Sequence, residues 1–288
     1  MNPELALGTV QFGLGYGIAG RCEPVSSREV KKILARAWEL GIRVIDTAST
    51  YGSIEKRFQS LAGDHSFNVI SKIPAIPSNL SHAATEDYVC ESIHNIRLHL
   101  GDRLSSLLFH NGLDLLGNNS DIIWQAAVGV LSNTSIRLGV SCYSPDEVKS
   151  ILARYPITLA QIPGNALDQR IESATYLRDI EVHLRSVFLQ GALLLSDDEI
   201  AVKLPHAMFE MMTWRQWCHE HELTPLQAAL GIAKGLANVK YCVVGVDGLA
   251  QLEDVVETWS YAVALKAPNL AINQLKIIDP RYWYACVS

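Results

Sequence analysis

The sequence predicts a barrel of eight parallel β-strands, each followed by an α-helix. Apolar runs of strand length alternate with amphipathic stretches along the chain. Eight such pairs divide the 288 residues into units of about 36, as expected of a (β/α)8 barrel, or TIM barrel. No linker or break in composition interrupts this alternation. We therefore expect an α/β fold with a single domain over residues 1–288, in which residues 266–288 form a C-terminal tail.

The predicted strands are mostly continuous apolar runs, as is typical of strands covered on both faces. They comprise residues 5–10, 43–47, 68–73, 104–110, 136–142, 157–163, 183–189 and 239–246. The predicted helices comprise residues 30–40, 53–61, 86–100, 120–131, 145–154 and 249–265. The first helix shows the expected spacing, because Val30, Ile33, Leu34, Ala37 and Trp38 share one face.

A doubly wound sheet is the alternative fold, but its glycine-rich phosphate loop is missing. The first strand ends in LGTVQFGLGYG, and no G-x-G-x-x-G opens a helix there. We expect the glycines of residues 13–20 to form a mobile loop at the barrel mouth instead.

Composition argues against several classes of protein. The net charge of -6 disfavours binding to nucleic acid or to an anionic membrane. The longest apolar runs, such as residues 105–109 and 241–246, are far too short to span a membrane. The first residues lack the pattern of a secretory signal, so we expect a cytoplasmic protein, either a monomer or a small homo-oligomer.

The cysteines and histidines show no metal-binding spacing. The six cysteines, none in a C-x-x-C pair, are expected to be free thiols. His219 and His221 are two residues apart and would point to different faces of a helix. We expect no metal site.

Four polar residues recur at or just after the ends of successive predicted strands. Asp46 closes RVIDT, Tyr51 follows in DTASTYG, Lys72 ends NVISK and His110 ends SLLFH. Active sites of TIM barrels form at the C-terminal ends of the strands, and neighbouring strands are only about 4.8 Å apart. The four side chains are therefore expected to converge.

These residue types suit protonation of a carbonyl oxygen while a nucleophile attacks its carbon. A tyrosine hydroxyl is a weak acid, and a nearby ammonium such as that of Lys72 favours its phenolate. A buried ammonium needs a partner, which Asp46 can supply, and His110 can donate to the developing oxyanion. Taken singly, each residue has a structural alternative. Asp46 could cap the turn at Ser53, Tyr51 could be an ordinary amphipathic aromatic, Lys72 a solvated charge and His110 a core histidine.

The motifs closely resemble those of the aldo-keto reductases over nearly the whole chain. The matching segments are LALGTVQFG, GIRVIDTASTYGSIEKRF, ISKI and LLFHN. The resemblance implies NAD(P)H-dependent reduction of an aldehyde or ketone to an alcohol. Tyr51 would be the general acid, Lys72 and Asp46 would tune it, and His110 would polarise the carbonyl. RSVFLQG and IIDPRYW also resemble a bacterial branch often associated with surface-polysaccharide genes, which points to a sugar-derived carbonyl.

The resemblance also implies a cofactor site. In the nicotinamide region, Ser141 and Gln161 are kept, but Cys142 stands where the family has asparagine. Arg185 stands at the position of an aromatic residue that stacks on nicotinamide, so its guanidinium could stack instead or point elsewhere. The residues expected to contact the cofactor are Thr9, Val10, Asp46, Ser141, Gln161, Ser186, Gln190, Gly245, Asp247, Gln251 and Asp254.

The choice between NADPH and NADH depends on the eighth strand and the helix after it. No basic residue lies between positions 241 and 257, and Gln251 stands where an arginine often binds the 2′-phosphate. Asp247 would repel a phosphate but could accept from a ribose 2′-hydroxyl, or could cap the helix that begins at Leu249. We expect weak discrimination in favour of NADPH, or a preference for NADH.

The substrate is expected to be a small carbonyl compound that contacts Gln11, Tyr51, His110 and Asn111. Asn111 stands where many members have tryptophan, which predicts a more polar wall. Tyr282, Trp283 and Tyr284 in the tail could fold over the mouth or pack on the barrel exterior. Two other functions stay open: a cofactor-sensing regulatory subunit with little turnover, and a metal-dependent hydrolase, which would need more converging ligands than His110 and Asp46.

Overall fold

The structure, a computed structural model, describes residues 2–20 and 22–283. Eight parallel strands form a closed barrel in chain order, with the eighth strand pairing with the first. The predicted (β/α)8 barrel is confirmed. The strands are β1 Glu4–Gly8, β2 Val44–Asp46, β3 Asn68–Ile73, β4 Leu104–Phe109, β5 Arg137–Ser141, β6 Leu159–Pro163, β7 Glu181–Arg185 and β8 Val239–Gly245.

Helices surround the barrel, and all six predicted helices are present, five of them with at least one shifted end. The helix predicted over residues 30–40 begins after Ser26, whose hydroxyl accepts from the Glu29 N–H. It buries Val30, Ile33, Leu34 and Ala37 of the predicted apolar face. The last predicted helix ends at Tyr261, four residues early. The helices are α1 Val10–Gly13, α2 Ser27–Glu39, α3 Ile54–Ala62, α4 His82–Leu100, α5 Ser120–Leu131, α6 Pro145–Leu152, α7 Asp197–Lys203, α8 Met208–Glu220, α9 Pro225–Gly235, α10 Leu249–Tyr261 and α11 Leu275–Ile278.

The largest departures from the prediction lie on both sides of β7. The predicted strand 183–189 is wrong at both ends, because β7 spans Glu181–Arg185. Beyond it the chain turns, and Ser186, Leu189 and Gln190 have positive φ angles that no strand can contain. No α-helix joins β6 to β7; two 3₁₀ helices, Arg170–Ser173 and Thr175–Asp179, make that crossover. The helices α7, α8 and α9 between β7 and β8 were not predicted.

The apolar core has three parts. A small cluster of residues such as Val44, Ile70 and Leu108 fills the barrel interior. A much larger cluster lies between the strands and the surrounding helices. The third cluster joins α7–α9 to the C-terminal segment through side chains such as Trp214 and Trp283.

The tail packs into this third cluster as far as it is described. Trp283 is buried, and its indole N–H donates to the Ile277 carbonyl at 3.1 Å. Tyr284 of the predicted tail and the sixth cysteine, Cys286, lie outside the described residues. The five cysteines at positions 22, 90, 142, 218 and 242 are free thiols. Among the described residues, no helix is both long and apolar enough to cross a membrane.

Candidate active site

The alternation of side chains along the strands places the predicted site at the barrel mouth. Val44, Ile70 and Leu108 point into the barrel interior. Residues two positions further along a strand point the same way. These are Asp46, Lys72 and His110, and they line one cavity of about 480 Å³ at the C-terminal end of the barrel. The structure thus brings together the polar residues that the sequence placed on three different strands.

Lys72 and Asp46 form a buried ion pair at the floor of this cavity. The Lys72 Nζ donates to Asp46 Oδ1 at 2.7 Å and to the Thr47 carbonyl at 2.9 Å. Gln161 donates to the other oxygen of Asp46 at 2.7 Å. Burial alone would lower the pKa of Lys72, but the charge of Asp46 and its hydrogen bond, together with the adjacent Tyr51 phenol, raise that pKa above its ordinary value. Lys72 is therefore a charged ammonium at neutral pH.

Tyr51 reaches the cavity from the turn between β2 and α3. Its backbone N–H donates to the Ala48 carbonyl at 3.0 Å, which closes the turn. The chain of α1 presses against this turn at Gly13, where any Cβ atom would collide with the Tyr51 carbonyl oxygen. The Lys72 Nζ lies 5.3 Å from the centre of the Tyr51 ring, so a cation stands beside the phenol.

His110 packs edge-on to Tyr51, with the two ring centres 6.0 Å apart. Burial and the nearby charge of Lys72 lower the pKa of His110 to about 4, so the imidazole is neutral at pH 7. Its Nδ1 lies 3.3 Å from the Thr50 hydroxyl. If Thr50 donates to Nδ1, the proton resides on Nε2, which can then donate to a carbonyl oxygen. Sequence reasoning did not identify Thr50, although it lies within the DTASTYG motif.

The alternative structural roles of the four residues do not match this geometry. The two carboxylate oxygens of Asp46 accept from Lys72 and Gln161 inside the barrel, rather than from the turn at Ser53. Lys72 is 1% exposed and is not a solvated charge. Tyr51 and His110 are part of the cavity wall rather than of a closed core.

All the residues expected to contact a cofactor line the same cavity. They are Thr9, Val10, Asp46, Ser141, Gln161, Ser186, Gln190, Gly245, Asp247, Gln251 and Asp254. The N-cap of α10 is Gly248, the residue after Asp247. The Asp247 N–H donates to the Gln251 side chain at 2.7 Å. Cys142, which stands where the family has asparagine, is buried and does not line the cavity. At this position the cavity wall therefore lacks the side-chain amide of the family.

Of the residues expected to contact the substrate, Gln11, Tyr51 and His110 line the cavity, but Asn111 does not. The Asn111 amide donates to Asp114 at 2.6 Å. It follows His110 in the chain and therefore points away from the barrel axis. Among the described tail residues 266–283, none lines the cavity, although Arg281 contacts the wall residue Tyr143.

Two wall residues with polar side chains, Tyr16 and Tyr143, were not predicted from the sequence. Tyr16 lies in the predicted loop of residues 13–20, which crosses the cavity. The Gln190 side-chain amide donates to the Tyr16 hydroxyl at 3.3 Å. Burial raises the pKa of Tyr16 to about 12, so it stays protonated. Tyr143 follows the motif GVSC directly, and its aromatic ring was the only available signal.

The cavity has features that fit a dinucleotide cofactor. Its volume lies within the usual range for cofactor sites. Two of its wall residues, Gln11 and Gln190, each carry a buried side-chain oxygen without a hydrogen-bond partner. Gly245 lets the Gln11 amide lie close against the end of β8, since a Cβ atom there would collide with that amide. Among the described residues, no cluster of His, Cys, Asp and Glu side chains could hold a metal ion.

Comparison with known proteins supports the resemblance drawn from the motifs. The model of the aldo/keto reductase family matches residues 4–111, the segment that contains Asp46, Tyr51, Lys72 and His110. The resemblance to this family is thereby confirmed over that segment. A comparison with curated protein sequences finds no match.

Solved structures extend the likeness to nearly the whole chain. The aldo-keto reductase AKR11C1 from Bacillus halodurans, in its holo form, is 19% identical with a TM-score of 0.70, covering 93% of this chain and 89% of that one. The putative aldo-keto reductase PA4992 from Pseudomonas aeruginosa is 22% identical with a TM-score of 0.64, covering 91% of each chain. The glycerol dehydrogenase AKR11B4 from Gluconobacter oxydans is 16% identical with a TM-score of 0.66, covering 96% of this chain and 92% of that one. At these identities the likeness establishes a shared barrel fold.

Proposed function

We propose that this protein is an NAD(P)H-dependent aldo-keto reductase that reduces an aldehyde or ketone to an alcohol. The observation that carries the proposal is the buried Lys72–Asp46 pair beside Tyr51 and His110 in one cavity. A binding module has no need of a buried ammonium next to a phenol, because burying the charges costs free energy. When bound, a nicotinamide cofactor supplies the hydride for the carbonyl carbon.

Tyr51 donates the proton to the carbonyl oxygen. The ammonium of Lys72 stabilises the phenolate left behind, and Asp46 keeps that ammonium charged inside the barrel. Asp46 is itself held by Gln161. His110, as a neutral donor, offers a second hydrogen bond to the same oxygen without competing as an acid.

The cofactor preference follows from the wall near β8. Asp247, Gln251 and Asp254 line the cavity there, and residues 241–257 include no lysine or arginine. A 2′-phosphate would meet two carboxylates in this region, whereas a carboxylate can accept a hydrogen bond from a ribose 2′-hydroxyl. The enzyme should therefore accept NADH at least as well as NADPH.

A spectrophotometric screen tests the proposal most broadly. Aldehydes, ketones and sugars are offered with NADH and with NADPH, and loss of reduced nicotinamide absorbance is recorded beside cofactor binding by fluorescence titration. Turnover of at least one carbonyl class supports the proposal. Tight cofactor binding without any turnover would favour the regulatory alternative, and absence of both would contradict the assignment altogether.

A further inference from the structure

Arg185 places a guanidinium on the cavity wall, and no acidic partner for it lies among the described residues. Its Nη1 donates to the Ser186 hydroxyl at 3.3 Å and its Nη2 to the Cys142 carbonyl at 3.2 Å. A guanidinium has five N–H donors, so three remain for a ligand. Within residues 2–20 and 22–283, no carboxylate forms an ion pair with it.

The other cations close to this part of the cavity are neutralised. Lys72 is paired with Asp46, and Arg281 with Asp279. The charge of Arg185 nonetheless extends across the site. After burial and Lys72, it contributes to the lowered pKa of His110, and it opposes the effect of burial on the pKa of Tyr16. The end of the cavity that holds Tyr51 and His110 therefore carries an unbalanced positive charge.

The orientation of Arg185 is fixed by an aromatic platform. Its guanidinium carbon lies 4.3 Å from the centre of the Tyr143 ring. Tyr143 is held by three further contacts. The Arg281 guanidinium lies 3.4 Å from the same ring, Arg170 donates to its carbonyl at 2.9 Å, and its N–H donates to Glu147 at 2.8 Å. A planar fork held in this way is suited to bidentate binding of a carboxylate.

We infer that Arg185 binds a carboxylate on the carbonyl substrate, so that the preferred substrates are carbonyl acids such as sugar acids. The inference rests on the proposed reduction. Binding a carboxylate would supply the missing counter-ion and orient the carbonyl toward Tyr51 and His110. A role for Arg185 toward the cofactor alone is the competing outcome.

Matched substrates and variants separate these outcomes. The substrate pairs are 4-carboxybenzaldehyde with 4-(hydroxymethyl)benzaldehyde, and D-glucuronate with D-glucose. The variants are Arg185→Gln and Arg185→Lys, with Arg97→Gln as a control on the exposed face of α4. Circular dichroism verifies that each variant folds.

The wild-type protein should prefer the carboxylated member of each pair. Arg185→Gln should lower kcat/KM for that member roughly 10- to 100-fold, mainly through KM, and change the neutral member less than about threefold. Arg185→Lys should keep part of the preference, and Arg97→Gln should match the wild type. Equal losses for both members, or a wild-type preference for the neutral member, would overturn the inference.

A binding measurement keeps the inference testable if the protein reduces none of these compounds. Benzoate and benzamide are titrated by calorimetry into the protein saturated with NADH. Benzoate binding that is lost in Arg185→Gln and kept in Arg97→Gln would support the anion site even though the proposed function had failed. Absent benzoate binding, or binding unchanged in Arg185→Gln, would overturn the anion site whatever the turnover.

Discussion

Removing one partner of the Lys72–Asp46 pair should destabilise the fold strongly. Asp46 is only 4% exposed. In Lys72→Met, its carboxylate would stay buried with Gln161 as the remaining side-chain hydrogen-bond donor. An uncompensated buried charge of this kind costs about 3–5 kcal/mol. Domains are typically stable by only about 5–15 kcal/mol, so this loss would be a large share of the total. Asp46→Asn should cost a comparable amount, because the buried ammonium then has neutral acceptors such as the Thr47 carbonyl but no counter-charge.

The double variant Asp46→Asn/Lys72→Met should recover much of this loss. Neither charge is then buried, the Gln161 amide can still donate to Asn at position 46, and a methionine fills most of the lysine's space. We expect a coupling free energy of at least about 2 kcal/mol between the two substitutions. All three variants should lose most turnover, since Tyr51 then lacks its stabilised ammonium.

Urea unfolding at pH 7, followed by tryptophan fluorescence, measures these differences from the midpoint and slope of each transition. The reasoning is refuted if Lys72→Met costs less than about 1 kcal/mol. It is equally refuted if the double variant loses the sum of the two single losses, because the pair would then not be coupled.

Three further predictions concern charge and pH. Burial raises the pKa of Glu55 from 4.5 to about 6, so the stability contributed by its protonated form is lost as pH rises through this range. In Glu55→Gln, the glutamine can still accept from Ser71 and is never charged. This variant should be up to about 2 kcal/mol more stable than wild type at pH 7 and no more stable at pH 4. An equal difference at both pH values, in urea titrations, would contradict this. Because the pKa of His110 is lowered in the folded protein, the imidazole is protonated at a higher pH in the unfolded chain than in the folded one. The free energy of unfolding should therefore fall by up to about 3 kcal/mol as pH falls from 6.5 to 4. His110→Gln should lessen this dependence, and a His110 NMR titration near 6.5 in the wild type would rule out the explanation. In a fluorescence titration, the wild type should bind NADPH no more tightly than NADH. Asp247→Arg should strengthen NADPH binding about tenfold. If the wild type bound NADPH tenfold more tightly than NADH, the proposed cofactor preference would be wrong.

The sequence was sufficient for the barrel and for the convergence of its polar residues, because both depend on regular spacing. Asp46 and Lys72 each follow an interior residue by two positions, and a period of two is a property of any strand. The same rule explains Asn111, which points away from the barrel because it directly follows His110.

The region around β7 could not be derived in the same way. The segment VFLQGALL is as apolar as a strand, and an apolar run alone does not distinguish a strand from a buried turn. The positive φ angles at Ser186 and Leu189 turn the chain there. The stacking of Arg185 and Arg281 on the Tyr143 ring could not be predicted from the sequence either. It depends on a contact between residues 143 and 281, which are 138 positions apart.

The role of Tyr51 is tested most directly by Tyr51→Phe, assayed for carbonyl reduction and for cofactor binding in parallel. The substitution removes the proton donor and keeps the ring that packs on His110. Turnover should fall at least about 100-fold while the cofactor dissociation constant stays within about threefold of wild type. Turnover at the wild-type rate would contradict the account, because another group would then have to protonate the carbonyl oxygen.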